Sequence, residues 1–287
     1  MPLTRSRPRA SAVPDLLSLP HAAPTETLRI VSFLAPKLLG FYTFLADRVA
    51  RSLGCDVEVV IGTSYDDLDS ADVAFVCGLP YVERTMSGDC PVEPIAAPVI
   101  RGARYGGRPI YFSDVIVRRD SSSRSFADLR GRSWAYNERH SQSGYGITRY
   151  VLARDGHTKG YFGSVLEAGW HENAVRLVAT GACDASAIDS HLLVVMLRDE
   201  PDLANELRVI ETLGPSTIQP VVVSRRLPHP MKSKLRRTFL SLADDPAARQ
   251  PLAAAMVERF VPVCDRDYDD LRHMSDAALT AGWHSLD

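Results

Sequence analysis

Residues 28–62 read LRIVSFLAPKLLGFYTFLADRVARSLGCDVEVVIG, and this stretch decides the fold. LRIVSFL is an apolar run of strand length that stops at Ala35-Pro36. Leu39, Tyr42, Leu45, Val49 and Leu53 then recur at helical spacing until Gly54 ends the pattern. DVEVVIG (56–62) alternates as a strand. Tyr65 to Asp69 predicts a short helix, and ADVAFVCG (71–78) a buried strand that runs into Gly78-Leu79-Pro80-Tyr81. Strand, helix, strand, helix, strand is the order of an α/β sheet.

Working outward, two strand-like runs flank Gly106-Gly107 between residues 94 and 122. Phe126 to Gly131 predicts a turn and Arg132 to Tyr136 a strand. The polar loop NERHSQSG (137–144) leads to a helix from about Ser143 to Ala153. Helices are expected near 160–168, 171–180 and 190–198, with a short strand opening at Cys183. ELRVIETL (206–213) and VVVSRR (221–226) predict strands on either side of GPSTIQP (214–220). The remainder predicts helices at 229–243, 246–260 and 267–282. One α/β unit is followed by a second, and the chain then returns through Pro215 and Pro220. Two lobes joined by two crossing strands explain this order. The expected division is 27–106 with 215–287 as lobe 1, and 107–214 as lobe 2.

Composition narrows the function. A length of 287 residues suits roughly two domains or one large one. No apolar run approaches the ~20 residues of a membrane helix. The net charge of −2 gives no global attraction to nucleic acid or anionic lipid. Cys55, Cys77, Cys90, Cys183 and Cys264 form no C-x-x-C pair, so neither a zinc site nor a thioredoxin-like motif is indicated. Free thiols fit a reducing compartment. In residues 1–26, Pro14, Asp15, Ser18 and Pro20 interrupt any signal-peptide apolar region. The segment reads as a mobile tail, which places the chain as written in the cytoplasm, or in the periplasm if the start is misassigned.

Six pieces in order carry a resemblance. They are Asp72 to Phe75 with Gly78-Leu-Pro-Tyr81, Tyr111 to Ser121, Phe126 to Arg132, Ser141-Gln-Ser-Gly-Tyr145, Gly169 to Val175, and Gly181 to Asp189. Over about residues 28 to 250 the chain resembles the phosphate/phosphite/phosphonate-binding family of ABC importer receptors. That family has the type 2 periplasmic-binding-protein fold. The resemblance implies a two-lobed α/β protein with a ligand cleft between the lobes. It also implies that Ser141–Gly144 is the anion-binding loop, although the family commonly has Thr where Gln142 stands here.

The residues support a site independently. Ser141-Gln142-Ser143-Gly144 joins a strand to a helix, where unpaired N–H groups and the helix dipole favour an anion. The same residues are also an ordinary helix N-cap. His171 begins another helix and can donate to the same anion, or be a capping histidine. Asp189 ends a strand-like run and can orient His171, accept from a ligand amine, or cap the helix at Ser190. Tyr81 ends a first-lobe strand, where α/β sheets place ligands. Tyr42 is a further candidate with a core role as its alternative. Trp134, Tyr136, Tyr145 and Trp170 surround the second-lobe loops, either packing or facing an organic group. An anion loop beside Asp189 suits a zwitterion such as an amino-phosphonate.

No G-x-S-x-G, H-E-x-x-H or P-loop is present. The reading is therefore a solute-binding protein that closes over a small oxyanion, phosphonate-, phosphite- or phosphate-like, for import with an ABC permease or for sensing. It expects no cofactor, metal, nucleic acid or membrane span. The alternative is a cytosolic enzyme on the same fold, resembling a menaquinone-pathway lyase or a thiamine-pyrimidine synthase.

Overall fold

The computed structural model describes residues 27–286; the tail expected at 1–26 lies outside the described residues. The elements run β1 (Leu28–Ser32), α1 (Leu39–Leu53), β2 (Val57–Ile61), β3 (Val73–Phe75), α2 (Gly78–Met86), β4 (Val92–Ile100) and β5 (Ile110–Arg118). Then come β6 (Ser133–Tyr136), α3 (Ile147–Arg154), β7 (Ser164–Glu167), α4 (His171–Ala179), β8 (Ala185–Asp189), α5 (Ser190–Asp199) and α6 (Pro201–Glu206). β9 (Leu207–Thr217), β10 (Val221–Ser224), α7 (His229–Leu240), α8 (Arg249–Ala254), β11 (Val257–Val261) and α9 (Asp269–Thr280) complete the chain.

Two sheets result. The first has the order β11-β4-β10-β3-β1-β2 and the second β7-β6-β8-β5-β9. β1 is parallel to β2 and β3, while β10 and β11 run antiparallel to their neighbours. β6 is parallel to β7 and β8, and β5 is antiparallel to β8 and β9. Together they form a two-lobed, mixed α/β architecture. Alternation along β5 puts Val115 and Val117 into one core and Ile116 into the other, so this strand is covered on both faces.

Two expected helices are strands. Residues 164–167, read within a helix at 160–168, pair as β7 with β6 at the sheet edge. Residues 257–261, read within a helix at 246–260, pair as β11 with β4, with a register shift after Val257. Both are short, and neither alternates strictly between buried and exposed positions, so the period of two is missing from their sequence. Gly78, read as the end of a strand, instead opens α2.

The end of the chain also departs from the expected lobes. Ala278, Trp283 and Leu286 lie in the second core with Trp134, Phe162 and Val151, and Trp283 Nε1 donates to the carbonyl of His157 at 3.2 Å. The C-terminal residues, grouped with lobe 1 by sequence, thus pack on the second sheet. The chain passes between sheets three times: after β4, after β9 and after β11.

Candidate functional site

The site is built where β6, β8 and α1 converge between the sheets. After β6 the chain enters a loop that ends in one π-helical turn, Gln142–Gly146, before α3. Such turns recur at functional positions because they displace side chains from regular helical places. Ser141 caps it, its Oγ accepting from Gly144 N at 3.1 Å. Position 144 has to be glycine, because Asn137 Oδ1 occupies the place a Cβ would take. His171 is the first residue of α4, and its Nε2 lies 2.8 Å from Ser143 Oγ. Asp189, the last residue of β8, pairs with Ser113 across the sheet and caps α5, its Oδ1 accepting from His191 N at 2.8 Å and Leu192 N at 3.3 Å.

These groups surround a cavity of about 50 Å³. A single water needs roughly 10–15 Å³ on the same measure, so several non-hydrogen atoms fit. Five residues singled out by sequence line it: Tyr42, Ser141, Ser143, His171 and Asp189. Tyr42 also stacks on Phe75, with ring centroids 4.9 Å apart, so its packing role and its place on the cavity coexist. Trp170 lines the cavity too, whereas Trp134, Tyr136 and Tyr145 are buried in the second core.

Two candidates lie elsewhere. Tyr81 is fully buried, donates to Asp265 Oδ1 at 2.6 Å and meets Tyr268 edge to face. Because Gly78 starts a helix, Tyr81 sits one turn into α2 and points toward the C-terminal segment. Gln142 turns its amide away from the cavity, to Ser216 Oγ and Met274 Sδ, both at 3.3 Å. It holds the π turn against β9 and α9. The sequence reading missed Phe33, Asn137, Glu138, His191 and Gln219, which also line the cavity. Asn137 and Glu138 directly follow β6, and His191 lies two residues beyond Asp189; proximity to those strand ends was the available signal. Gln219 sits on a crossing segment and carried none.

The cavity's lining carries two chemically different sets of groups. Ser141, Ser143 and His171 form a donor set. Burial pushes the His171 ring down to about 4, against a smaller upward pull from Asp189, so the ring is neutral near pH 7. With Nε2 held by Ser143, His171 Nδ1 is buried without a partner, as is Asn137 Oδ1. In the acceptor set, Gln219 Nε2 donates to Asp189 Oδ2 at 2.5 Å. His191 Nε2 lies 2.5 Å from the carbonyl of Ala255, which fixes the proton there and leaves Nδ1 as an acceptor in the neutral ring. Burial holds the Glu138 carboxyl above its usual range, only partly offset by the 2.8 Å hydrogen bond from the Tyr65 hydroxyl. Among the described residues no Lys or Arg lines the cavity.

The Ser143–His171 pair invites comparison with a nucleophile and base. A relay would need a carboxylate on His171 Nδ1, but Asp189 is engaged by α5 and Gln219. The geometry fits binding rather than acyl transfer.

Contacts close the mouth from opposite sides. Tyr65 bonds Glu138, His140 Nδ1 lies 3.0 Å from Glu83 Oε2, and Lys37 N donates to Glu172 Oε1 at 3.0 Å. The pairing with Glu83 raises the His140 pKa, more than burial lowers it.

Residues 32–268 match a family described as the periplasmic substrate-binding protein of a phosphonate ABC transporter. Among solved structures, a binding-protein component of an ABC phosphonate transporter from Pseudomonas aeruginosa matches with a TM-score of 0.78 at 19% identity, covering 90% of this chain and 88% of that one. PhnD1 from Prochlorococcus marinus, in complex with methylphosphonate, matches with a TM-score of 0.72 at 16% identity, covering 88% and 97%. The alkanesulfonate-binding protein SsuA from Xanthomonas axonopodis pv. citri, bound to MOPS, matches at 0.63 and 18%, covering 91% and 95%. These matches support the two-lobed fold expected from sequence, and none supports the enzyme alternative. Among the described residues no helix is long and apolar enough to cross a membrane.

Proposed function

The chain belongs to the family of periplasmic substrate-binding proteins of phosphonate ABC transporters, and from that premise we propose that it binds a small phosphonate carrying an ammonium group. The observation that carries this is the mixed lining of the cavity: neutral donors from Ser141 and from the Ser143–His171 pair, the carboxylate of Asp189, and, among the described residues, no lysine or arginine. Phosphonate oxygens accept from the Ser141 hydroxyl, from the one donor that the Ser143–His171 pair has free, and from the start of the helical run. A dianion alone would face Asp189 and Glu138 uncompensated in a site of low dielectric. An ammonium against Asp189, Gln219 and His191 removes that conflict.

The lobes we propose are 27–106 with 215–268, and 107–214 with the C-terminal helix. They rock about the three crossings, and the contacts at Tyr65, Glu83 and Lys37 form on closure. Ligand held by both lobes favours the closed state. The family implies a permease partner, and we propose that this chain delivers its ligand to one outside the cytoplasmic membrane. Fractionation of the native host tests that location: recovery only from the cytosol overturns it.

A thermal-shift series with aminomethylphosphonate, 2-aminoethylphosphonate, methylphosphonate, phosphate and sulfate tests the ligand class. At 100 times Kd a ligand adds about 2.7 kcal/mol of stability. The aminated phosphonates are expected to give the largest rise. A larger rise with phosphate or sulfate, or no rise with any of the five, overturns the reading.

A further inference from the structure

A second, apolar void adjoins the cavity. It measures about 30 Å³ and is walled by Phe41, Phe75, Pro98, Val221, Val257 and Phe260. Leu34, Tyr42, His191 and Gln219 line both spaces, so these four side chains are the partition between them. Protein interiors are packed nearly as densely as organic crystals, and voids of this size inside an apolar core are few because the lining atoms forfeit their contacts. A void that lies behind one wall of a ligand cavity has a use that an isolated packing defect lacks.

Resting on the reading above, we propose that this void is a subsite for a short alkyl substituent of the ligand, with Tyr42 as the side chain that sets how far the substituent reaches. The position of the void fits a branched ligand. His191 and Gln219 both contact Asp189, through the His191 N–H and the Gln219 amide, and both also wall the void. The ammonium position and the void therefore share a wall. A 1-aminoalkylphosphonate carries its ammonium and its alkyl group on the same carbon, next to phosphorus. With phosphonate at the serines and ammonium at Asp189, its alkyl group is directed toward the void. Beyond the partition the walls are apolar side chains, so the polar groups at the void are those of Tyr42, His191 and Gln219 on the side that faces the ligand cavity. At roughly 10–15 Å³ for each water-sized position, the space takes about two carbons.

The test is a calorimetric series of aminomethyl-, 1-aminoethyl-, 1-aminopropyl- and 1-aminobutylphosphonate. Each buried methylene is expected to lower Kd about four-fold. The gain should hold through the aminopropyl compound and reverse at aminobutyl. Tyr42→Ala removes the partition and should move the optimum to a longer chain. Val257→Leu, on the far wall, should move it to a shorter one. Circular dichroism checks that both variants fold, and Val257→Leu alone suffices should Tyr42→Ala fail to. A Kd that is flat or rises from the first added methylene, with neither variant changing the trend, overturns the subsite while aminomethylphosphonate binding leaves the parent reading standing. No binding by any of the four overturns both.

Discussion

Two strand-to-helix turns meet at the cleft, one from each sheet. The turn from β3 into α2 runs Val76-Cys77-Gly78-Leu79-Pro80 and is apolar and buried, with no side chain capping the helix. The turn from β6 into α3 passes through Asn137, Ser141 and Ser143, with Ser141 as cap. Both leave the carboxyl end of a strand, β6 between two parallel neighbours and β3 between parallel β1 and antiparallel β10, and strand ends of this kind are where α/β sheets gather ligands. They touch directly: Gln142 N lies 3.5 Å from Cys77 Sγ. Yet four residues of the second turn's segment face the cavity with polar groups, while the first contributes one thiol, pushed up to about 12 by burial and hence neutral. Topology chooses the place, and side-chain chemistry decides which of two equivalent turns binds and which serves as backing.

The contrast can be broken most strongly with acid. His171 is held near 4 by burial against about 6.5 when unfolded, so the unfolded chain binds the extra proton between those values. The stability tied to its neutral ring is complete above about pH 6.5 and is lost as pH falls through 4. The loss amounts to about 3 kcal/mol at full extent. Denaturant titrations of wild type and His171→Gln over pH 7 to 4 should therefore converge toward the acid end. Parallel curves would show that the ring does not titrate as its surroundings require.

Ser143→Ala comes next. Losing a charge-assisted donor should weaken every phosphonate by about 1.5–3 kcal/mol, measured by calorimetry. The matching change in the other turn, Cys77→Ala, should leave affinity within a few-fold. Equal losses would abolish the distinction between the turns. Asp189→Asn keeps a residue able to cap α5 but removes the charge. It is expected to narrow the preference for aminated over plain phosphonates by about ten-fold, or ~1.4 kcal/mol. An unchanged preference would move the ammonium elsewhere. The smallest effect belongs to Tyr81→Phe, which deletes the bond to Asp265. Stability should fall by about 1 kcal/mol with Kd unaltered; a weakened Kd would return Tyr81 to the site.

These outcomes bear on what the sequence could reveal. The βαβ order and the return of the chain to the first sheet after residue 214 were legible, because apolar periodicity is local. The strands at 164–167 and 257–261 were not, since neither alternates strictly between buried and exposed positions and only pairing with β6 and β4 makes them strands. Tyr81 and Gln142 were misplaced for a related reason. Each carries a hydrogen-bonding group in a loop-like context, and only the arrival of Asp265 and Met274 from the far end of the chain shows what that group meets. Gln219 acquires meaning from Asp189, thirty residues earlier.

The placement of Trp283 and Leu286 has a consequence for how the molecule is made. A ribosome releases residues 110–217, which supply all five strands of the second sheet, well before it releases the segment after α9's start. Until then the second core lacks Ala278, Trp283 and Leu286, three of its buried members. The nascent chain thus carries an incomplete apolar core during elongation, of the kind that recruits chaperones or leads to aggregation. A chain cut before Trp283 would lack Trp283 and Leu286 in the second core, so its stability should fall.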